Sequence, residues 1–180
     1  GTLLEFVLSD HSFSMPVGRI QYLHMGPMTF SEFLSGIGEE KLSSFILNYE
    51  PGQPIGEVVH KRLLSLLRSY YYVGGMPEAV SVFSETQSYK QVSTVHNSII
   101  ETYLEDFPKY IGSRNLNRMR KVFYFIAKNV GKKIKYSNIS PEDQSGTLKK
   151  DIDLLTMARV IGKVTHSHCS GLPLHADIDE

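Results

Sequence analysis

A double glycine between two helical patterns constrains this chain more than any other feature. Residues 70–80 read Tyr-Tyr-Tyr-Val-Gly-Gly-Met-Pro-Glu-Ala-Val, so an aromatic and apolar run stops at Gly74 and Gly75. Adjacent glycines allow a positive φ or the close approach of another group. Proline is favourable at the first position of a helix, because the N–H that it lacks would have no intrahelical partner there. The pattern predicts a helix, a sharp Gly74–Gly75 corner and a second helix beginning at Pro77.

The composition is that of a globular chain of one domain or two small ones. Of its 180 residues, 41% are hydrophobic and 21% are charged, which is enough for a real core. No apolar run approaches the roughly 20 residues that span a bilayer, and the first residues lack the basic start of a signal peptide. Cys169 is the single cysteine, so no internal disulfide can form. We therefore expect a cytoplasmic protein without a membrane partner.

The formal net charge of zero hides a marked asymmetry. Residues 1–112 contain seven basic and twelve acidic residues, residues 113–150 contain ten and two, and residues 151–180 contain two and five. A basic block inside a neutral chain indicates an anionic partner. The change in charge also predicts a domain boundary near Gly112-Ser113.

Hydrophobic periodicity predicts an antiparallel helical bundle before that boundary. Thr29 and Glu32 fit a capping box at the start of the first helix. In the third helix the apolar face comprises Val58, Val59, Leu63, Leu66, Leu67 and Tyr70. The predicted helices cover residues 29–36, 39–48, 55–73, 77–85 and 88–107, and we expect Pro108 to end the last of them. A short strand is predicted at Val17–Met25.

The pattern after residue 112 predicts a small winged-helix-like module. A helix at 115–129 has Leu116, Met119, Val122, Phe123 and Ile126 on its apolar face. The remaining predictions are a short strand at 134–136, a short helix at 141–144, a helix at 146–159 and wing strands at 160–169 and 174–176. The predicted fold class is thus mostly α, a helical bundle plus a small winged-helix-like α+β module.

Three segments carry a resemblance to a known family. They are Pro16-Val17-Gly18-Arg19, Gly26-Pro27-Met28-Thr29-Phe30-Ser31-Glu32-Phe33-Leu34 and Gly74-Gly75-Met76-Pro77-Glu78-Ala79. In order and spacing they resemble prokaryotic AAA+-type ATPases that carry an uncharacterised C-terminal domain. The resemblance implies that the chain is a C-terminal fragment with three parts: a remnant of the ATPase core (1–28), a helical lid (29–112) and the winged-helix-like module (113–180).

Phosphate-binding motifs are missing from this sequence. A P-loop requires Gly-x-x-x-x-Gly-Lys-Ser/Thr, but Gly131-Lys132 and Gly162-Lys163 lack the upstream glycine and the following hydroxyl residue. Neither Walker A nor Walker B is present, and the family places both upstream of the region that matches. The resemblance therefore implies that ATP and Mg²⁺ bind the full-length parent. For this chain alone we expect no cofactor and no ATP hydrolysis.

The resemblance also implies candidate catalytic residues. Thr2 matches a sensor position at the end of a core strand, although its hydroxyl could equally cap the following helix. Arg19 matches the place of an arginine that acts on the γ-phosphoryl group, and the alternative is a surface ion pair.

Four corner residues are the candidates for nucleotide binding: Gly74, Gly75, Met76 and Pro77. Their backbone could lie against the adenine or the phosphates. A tight helix–helix corner is the structural alternative, and the sequence favours it. Other AAA+ lids carry a sensor arginine here, and the nearest arginine in this chain is Arg68, almost two turns earlier.

We predict no metal site. His166 and His168 share a strand face, but Cys169 would point away and no second pair completes a ligand set.

The basic block at 113–150 permits two interpretations. It could bind nucleic acid, or it could dock against the rest of the protein. Asp151 and Asp153 flank the lysines of the predicted recognition helix, so we expect nucleic-acid binding to be weak or absent.

Three functions remain open at this point. The chain could be the lid and winged-helix part of an AAA+-type ATP-binding protein, a winged-helix DNA-binding protein with a helical effector domain, or a protein-interaction module. Under the first of these functions, the partner of the chain is the rest of the ATPase core. Assembly of several copies into a homo-oligomer is a further candidate interaction.

Overall fold

The described residues are mostly helical. The computed structural model describes residues 25–111, 115–167 and 178–179. Within them lie eight helices and one pair of short strands: α1 (Phe30–Gly36), α2 (Glu40–Leu47), α3 (Glu57–Val73), α4 (Pro77–Thr86), α5 (Tyr89–Ile111), α6 (Leu116–Lys128), α7 (Tyr136–Ile139), α8 (Ser145–Met157), β1 (His166–Ser167) and β2 (Ile178–Asp179). The predicted mostly α class is confirmed.

These residues belong to two compact units, each with its own core. The N-terminal unit is described from Met25 to Thr102, and the C-terminal unit from Tyr103 onward. Helix α5 contributes its first part to the N-terminal unit and its last residues, from Tyr103, to the C-terminal unit. The boundary predicted near Gly112-Ser113 lies outside the described residues.

The core of the N-terminal unit forms where α1, α3, α4 and the start of α5 meet. Phe33 is fully buried and its ring packs against Tyr70 and Phe83, with centroid separations of 5.3 and 6.2 Å. The other buried members are Leu34, Leu66, Val73, Ala79, Val80 and Val92. Burying this apolar surface supplies most of the driving force for folding of the unit.

Local signals set the helix ends in this unit. The capping box at α1 is confirmed, since the Thr29 hydroxyl accepts from the Glu32 N–H and the Glu32 carboxylate accepts from the Thr29 N–H at 2.7 Å. Pro77 occupies the first position of α4, as predicted. Val58 departs from the prediction, because it lies in the first turn of α3 and is 83% exposed.

The prediction that Pro108 ends its helix is wrong. Helix α5 continues through Pro108 to Ile111. Proline removes only its own N–H from the helix, and the helix needs just three further residues. Phe107, beside it, is buried in the core of the C-terminal unit, and this packing offsets the local preference to stop.

The core of the C-terminal unit lies between α6, α8 and the end of α5. Its buried residues are Phe107, Met119, Val122, Leu148, Ile152, Leu155 and Ala158. The predicted inward face of α6 is confirmed: Met119 and Val122 are buried, and the other three residues pack against the cluster. Helix α7 packs against both α6 and α8.

Two predictions between α6 and α8 are wrong. Residues 134–135 form no strand, and Tyr136 begins helix α7. The short helix predicted at 141–144 lies earlier, at Tyr136–Ile139, and the turn Ser140–Gln144 follows it. Proline disfavours the helical conformation for the residue before it, so Pro141 holds Ser140 extended, at φ −156° and ψ 112°, and α7 ends at Ile139.

The two strands form a short antiparallel pair. His166 lies opposite Asp179, and Ser167 lies opposite Ile178. The first strand is shorter than predicted, because residues 160–165 have no strand structure. The second predicted wing strand, 174–176, and most of the predicted strand Val17–Met25 lie outside the described residues.

Candidate functional site

The Gly74–Gly75 corner joins α3 to α4, and Gly74 sets its direction. Gly74 has φ 72° and ψ −169°, a backbone conformation that side-chain-bearing residues rarely adopt. Its N–H donates to the Tyr70 carbonyl at 2.7 Å and so closes the last turn of α3. A ring nitrogen of His96, on α5, lies 2.9 Å from the Val73 carbonyl oxygen. The end of α3 is therefore held from two sides.

Gly75 serves a different purpose, because the segment before α1 lies against its backbone. The Met28 N–H donates to the Gly75 carbonyl at 2.7 Å, and the Tyr70 hydroxyl donates to the Met28 carbonyl at 2.7 Å. A Cβ on Gly75 would overlap the Met28 carbonyl oxygen and lie 2.7 Å from the Met28 nitrogen. Glycine is thus the one residue that fits here. The Gly26–Leu34 and Gly74–Ala79 segments, far apart in the chain, meet directly through their backbones.

The candidate nucleotide-binding residues at this corner differ in access. Gly75 is buried against Met28, and Met76 packs against the core of the N-terminal unit. Pro77 is exposed but has no N–H to offer a phosphate, and Glu78 places a carboxylate in the first turn of α4. Around Gly74 the space is open. The geometry is that of the tight helix–helix corner which the sequence also favours, and a nucleotide contact at these residues stays a prediction.

The candidate catalytic residues Thr2 and Arg19 lie outside the described residues. Arg68 lies on α3 and lines an open groove of about 360 Å³ with Ser65, Ser69, Tyr72 and Tyr89. The Ser69 and Tyr89 hydroxyl oxygens are 2.8 Å apart, as are those of Tyr72 and Ser93. Each pair joins residues about twenty positions apart on two helices, so no local pattern in the sequence signals this groove.

The C-terminal unit contains a buried ion pair that sequence reasoning did not anticipate. Arg118 on α6 donates from Nε to Asp151 Oδ2 at 2.5 Å and from Nη2 to Oδ1 at 3.2 Å. Asp151 is 3% exposed, and the Arg118 side chain is 19% exposed. Arg118 also donates to the Asn115 side-chain oxygen at 3.2 Å. The hydrogen bonds to Asp151 raise the pKa of Arg118 above its ordinary value, with a further contribution from the charge of Asp143.

This ion pair changes the interpretation of α8. Its buried residues, Leu148, Asp151, Ile152 and Leu155, form the stripe that faces the core. Asp151 therefore points inward, and only Asp153 of the two predicted opposing acids is exposed. A carboxylate that faces the core and is paired with a guanidinium does not repel a phosphate at the surface.

The described residues contain no group of three metal-ligating side chains. His166 lies exposed on β1, whereas His168 and Cys169 are outside the described part of the chain. Among the same residues, no helix combines the length and the apolar character needed to cross a bilayer.

Comparison with known proteins identifies one family. Residues 64–179 match the family described as "Domain of unknown function (DUF8612)". The match begins within α3, shortly before the Gly74–Gly75 corner, and includes the C-terminal unit. Searches of curated proteins and of solved structures each gave no match. Since the matched region covers more than half of the 180 residues, the chain belongs to the DUF8612 family.

Proposed function

We propose that this chain is the lid and winged-helix part of an AAA+-type ATP-binding protein of the cytoplasm, without catalytic activity of its own. The observation that carries the proposal is the backbone contact between Met28 and Gly75. It joins two of the three segments on which the resemblance rests, and it makes the double glycine and the Gly-Pro-Met segment parts of one structural element. Chance similarity of two separate segments would not require them to fit together.

The order of elements in the C-terminal unit supports the winged-helix part of the proposal. Helices α6, α7 and α8 pack on one another, and a short antiparallel strand pair follows them. A five-residue connection, Ser140–Gln144, separates α7 from α8. Helix, helix-turn-helix and strand pair follow one another as in the predicted winged-helix arrangement, but the short strand predicted at 134–136 is missing from it.

The geometry of the Gly74–Gly75 corner supports a mechanical role for the corner in the proposed ATPase, rather than a role in binding the nucleotide. Its inner side is occupied by Met28, and the start of α4 is poorly suited to phosphate. ATP and Mg²⁺ would therefore be held by the remainder of the ATPase core. The Gly74–Gly75 corner would fix the angle between α3 and α4, so that the lid moves as one body.

The reading frame upstream of the Gly1 codon tests this proposal directly. The expected result is an in-frame P-loop followed by a Walker B strand. A start codon directly before Gly1 would contradict the ATPase assignment.

The full-length protein provides the biochemical test. Gly75→Ala adds one methyl group that overlaps Met28, whereas Gly26→Ala adds the same group in open space. If the corner sets the lid geometry, Gly75→Ala changes kcat or KM for ATP and Gly26→Ala leaves both unchanged. A folded Gly75→Ala protein with wild-type kinetics would count against the lid role.

A winged-helix DNA-binding protein with a helical effector domain is the second candidate function. The burial of Asp151 favours it, since one of the two acids that the sequence placed beside Lys149 and Lys150 does not face outward.

A further inference from the structure

We propose that the C-terminal unit binds the phosphate backbone of duplex DNA through the lysines of the α6–α7 connection and of α8. This inference rests on the winged-helix part of the proposed function and is independent of the ATPase part. The expectation from sequence was that binding is weak or absent, because Asp151 and Asp153 flank the lysines of α8. Since Asp151 is buried and paired with Arg118, we infer weak binding rather than none.

The first argument is the charge of this part of the chain. Residues 115–167 contain eleven basic side chains and four acidic ones. Asp151 is neutralised internally by Arg118, and Asp143 lies close enough to that guanidinium to raise its pKa. The acids that are exposed are Glu142 and Asp153. The pair removes one basic and one acidic charge together, so ten basic side chains remain against three acidic ones and the excess of positive charge is kept.

The second argument is the accessibility of the lysines. Lys132, Lys133, Lys135 and Lys150 are exposed, and among the described residues none of these four has an ion-pair partner. A protein that uses such lysines against DNA releases the counterions condensed on the phosphates, and this release drives binding.

The third argument is the position of these lysines in the helical arrangement. Lys132, Lys133 and Lys135 immediately precede α7, and Lys149 and Lys150 lie in the first half of α8. In helix-turn-helix proteins the first helix crosses the DNA backbone, and the first residues of the second helix enter the major groove. The lysines before α7 therefore lie at the helix that would cross the phosphate backbone, and Lys150 lies on the helix that would enter the groove between the two backbones.

The outward face of α8 indicates what kind of binding to expect. Its exposed residues are Ser145, Gly146, Lys150, Asp153 and Met157, and there is open space around Gly146. This set lacks the arginine, asparagine or glutamine that reads a base edge in two contacts, and Asp153 opposes close approach to phosphate. We therefore infer backbone binding with little sequence preference.

The experiment is a titration of labelled duplex DNA of arbitrary sequence, about 20 base pairs long, with the whole chain at 50 and 200 mM salt. Four lysine–phosphate contacts predict a slope of about −3.6 in log K against log salt, which is about a hundredfold loss of affinity over that range. A dissociation constant of roughly 10⁻⁴ to 10⁻⁶ M is expected at physiological salt.

Matched variants locate the contact surface. Lys132→Gln/Lys133→Gln should weaken binding at least about tenfold and reduce the slope by about 2. Lys41→Gln/Lys90→Gln removes the same charge from exposed positions in the N-terminal unit and should change neither quantity. Asp153→Asn, which removes the exposed acid from α8, should strengthen binding several-fold.

Three results would overturn the proposal. They are the absence of a complex at 50 mM salt, an equal loss in both double-lysine variants, and displacement of DNA by polyglutamate of equal charge as readily as by unlabelled duplex. None of these results would affect the P-loop test of the ATPase proposal, so the two can fail separately.

Discussion

At the scale of single residues, the two adjacent glycines of the corner meet two different requirements. Gly74 provides a positive φ, and Gly75 provides the space into which the Met28 backbone fits. The sequence alone predicts that the pair serves one of these purposes. The structure assigns one to each residue, so substitutions at the two positions act through different physical causes.

We expect Gly75→Ala to destabilise the protein by more than about 1 kcal/mol, because overpacking a close backbone contact costs about 1–3 kcal/mol. Gly26→Ala should be neutral or slightly stabilising, since its Cβ meets nothing and the unfolded chain loses freedom. Chemical denaturation of the three proteins measures the difference. Equal midpoints for Gly75→Ala and the wild type would contradict the close approach of Met28.

Asp151 is the second residue whose role depends on its surroundings. It anchors α8 to α6 through Arg118, and removal of one member of a buried pair leaves the other charge without compensation. Asp151→Asn should therefore cost about 3 kcal/mol, at the lower end of the range for such pairs because Arg118 is partly exposed.

Asp153→Asn is the matched control for that prediction, as it makes the same change on the exposed side of α8. It should alter the free energy of unfolding by less than about 0.5 kcal/mol. If both variants had the same small effect in urea denaturation, the buried ion pair would be absent in solution.

At the scale of elements, the start of α1 is stabilised by a capping box that depends on a charge. The Glu32 carboxylate accepts from the Thr29 N–H and from the Thr29 hydroxyl. The backbone hydrogen bond, and secondly the hydroxyl, lower the pKa of Glu32 below its ordinary value. A group with a lowered pKa in the folded state stabilises that state while it is ionised.

The capping box should accordingly lose its contribution in acid. The stabilisation is fully present above the unfolded pKa of about 4.3 and is lost as pH falls through the lower folded value. The difference in unfolding free energy between the wild type and Glu32→Gln should therefore be largest near neutral pH and shrink below about pH 4. A difference that does not change with pH would contradict the hydrogen bonds to an ionised Glu32.

In helix α5, side-chain packing outweighs the local tendency of a proline to end the helix. Pro108 disfavours helix, yet the helix continues for three residues beyond it. Phe107 is 2% exposed and its ring packs on Phe123 in an edge-to-face arrangement. Burying a phenylalanine contributes roughly 1.5–3 kcal/mol, which is comparable with the cost of a proline near a helix end.

At the scale of the whole molecule, the described residues have two cores, and the proposals divide between them. The lid proposal concerns the N-terminal unit and its corner, and the DNA proposal concerns the C-terminal unit and its lysines. We expect the isolated chain to show no magnesium-dependent ATP turnover, because its sequence contains neither Walker motif. A steady-state assay with turnover that survives repurification would contradict this expectation.

The ATPase parent that we propose would offer the test of Arg19. If the guanidinium acts on the γ-phosphoryl group, Arg19→Ala should lower the hydrolysis rate by about 10³-fold or more and leave the nucleotide Kd nearly unchanged. If it forms only a surface ion pair, stability should change by less than about 1 kcal/mol and the rate should barely move. Single-turnover kinetics and nucleotide titration separate the two outcomes.

The sequence by itself determined the capping box of α1, the start of α4 at Pro77, the inward face of α6 and the helices other than α7 and the end of α5. Each of these depends on residues within about one or two turns of each other, so the signal is present in a short window. The same holds for the missing P-loop motif, which is a pattern of eight adjacent positions.

The tertiary structure alone decided the contacts between distant residues. Met28 meets Gly75, and Arg118 meets Asp151 across 33 positions of sequence. Such contacts depend on how helices pack, and a local pattern cannot distinguish an aspartate that faces the core from one that faces water. For that reason the sequence predicts an Asp151 at the surface that opposes DNA binding. In the folded protein its charge is instead paired with Arg118 inside the C-terminal unit.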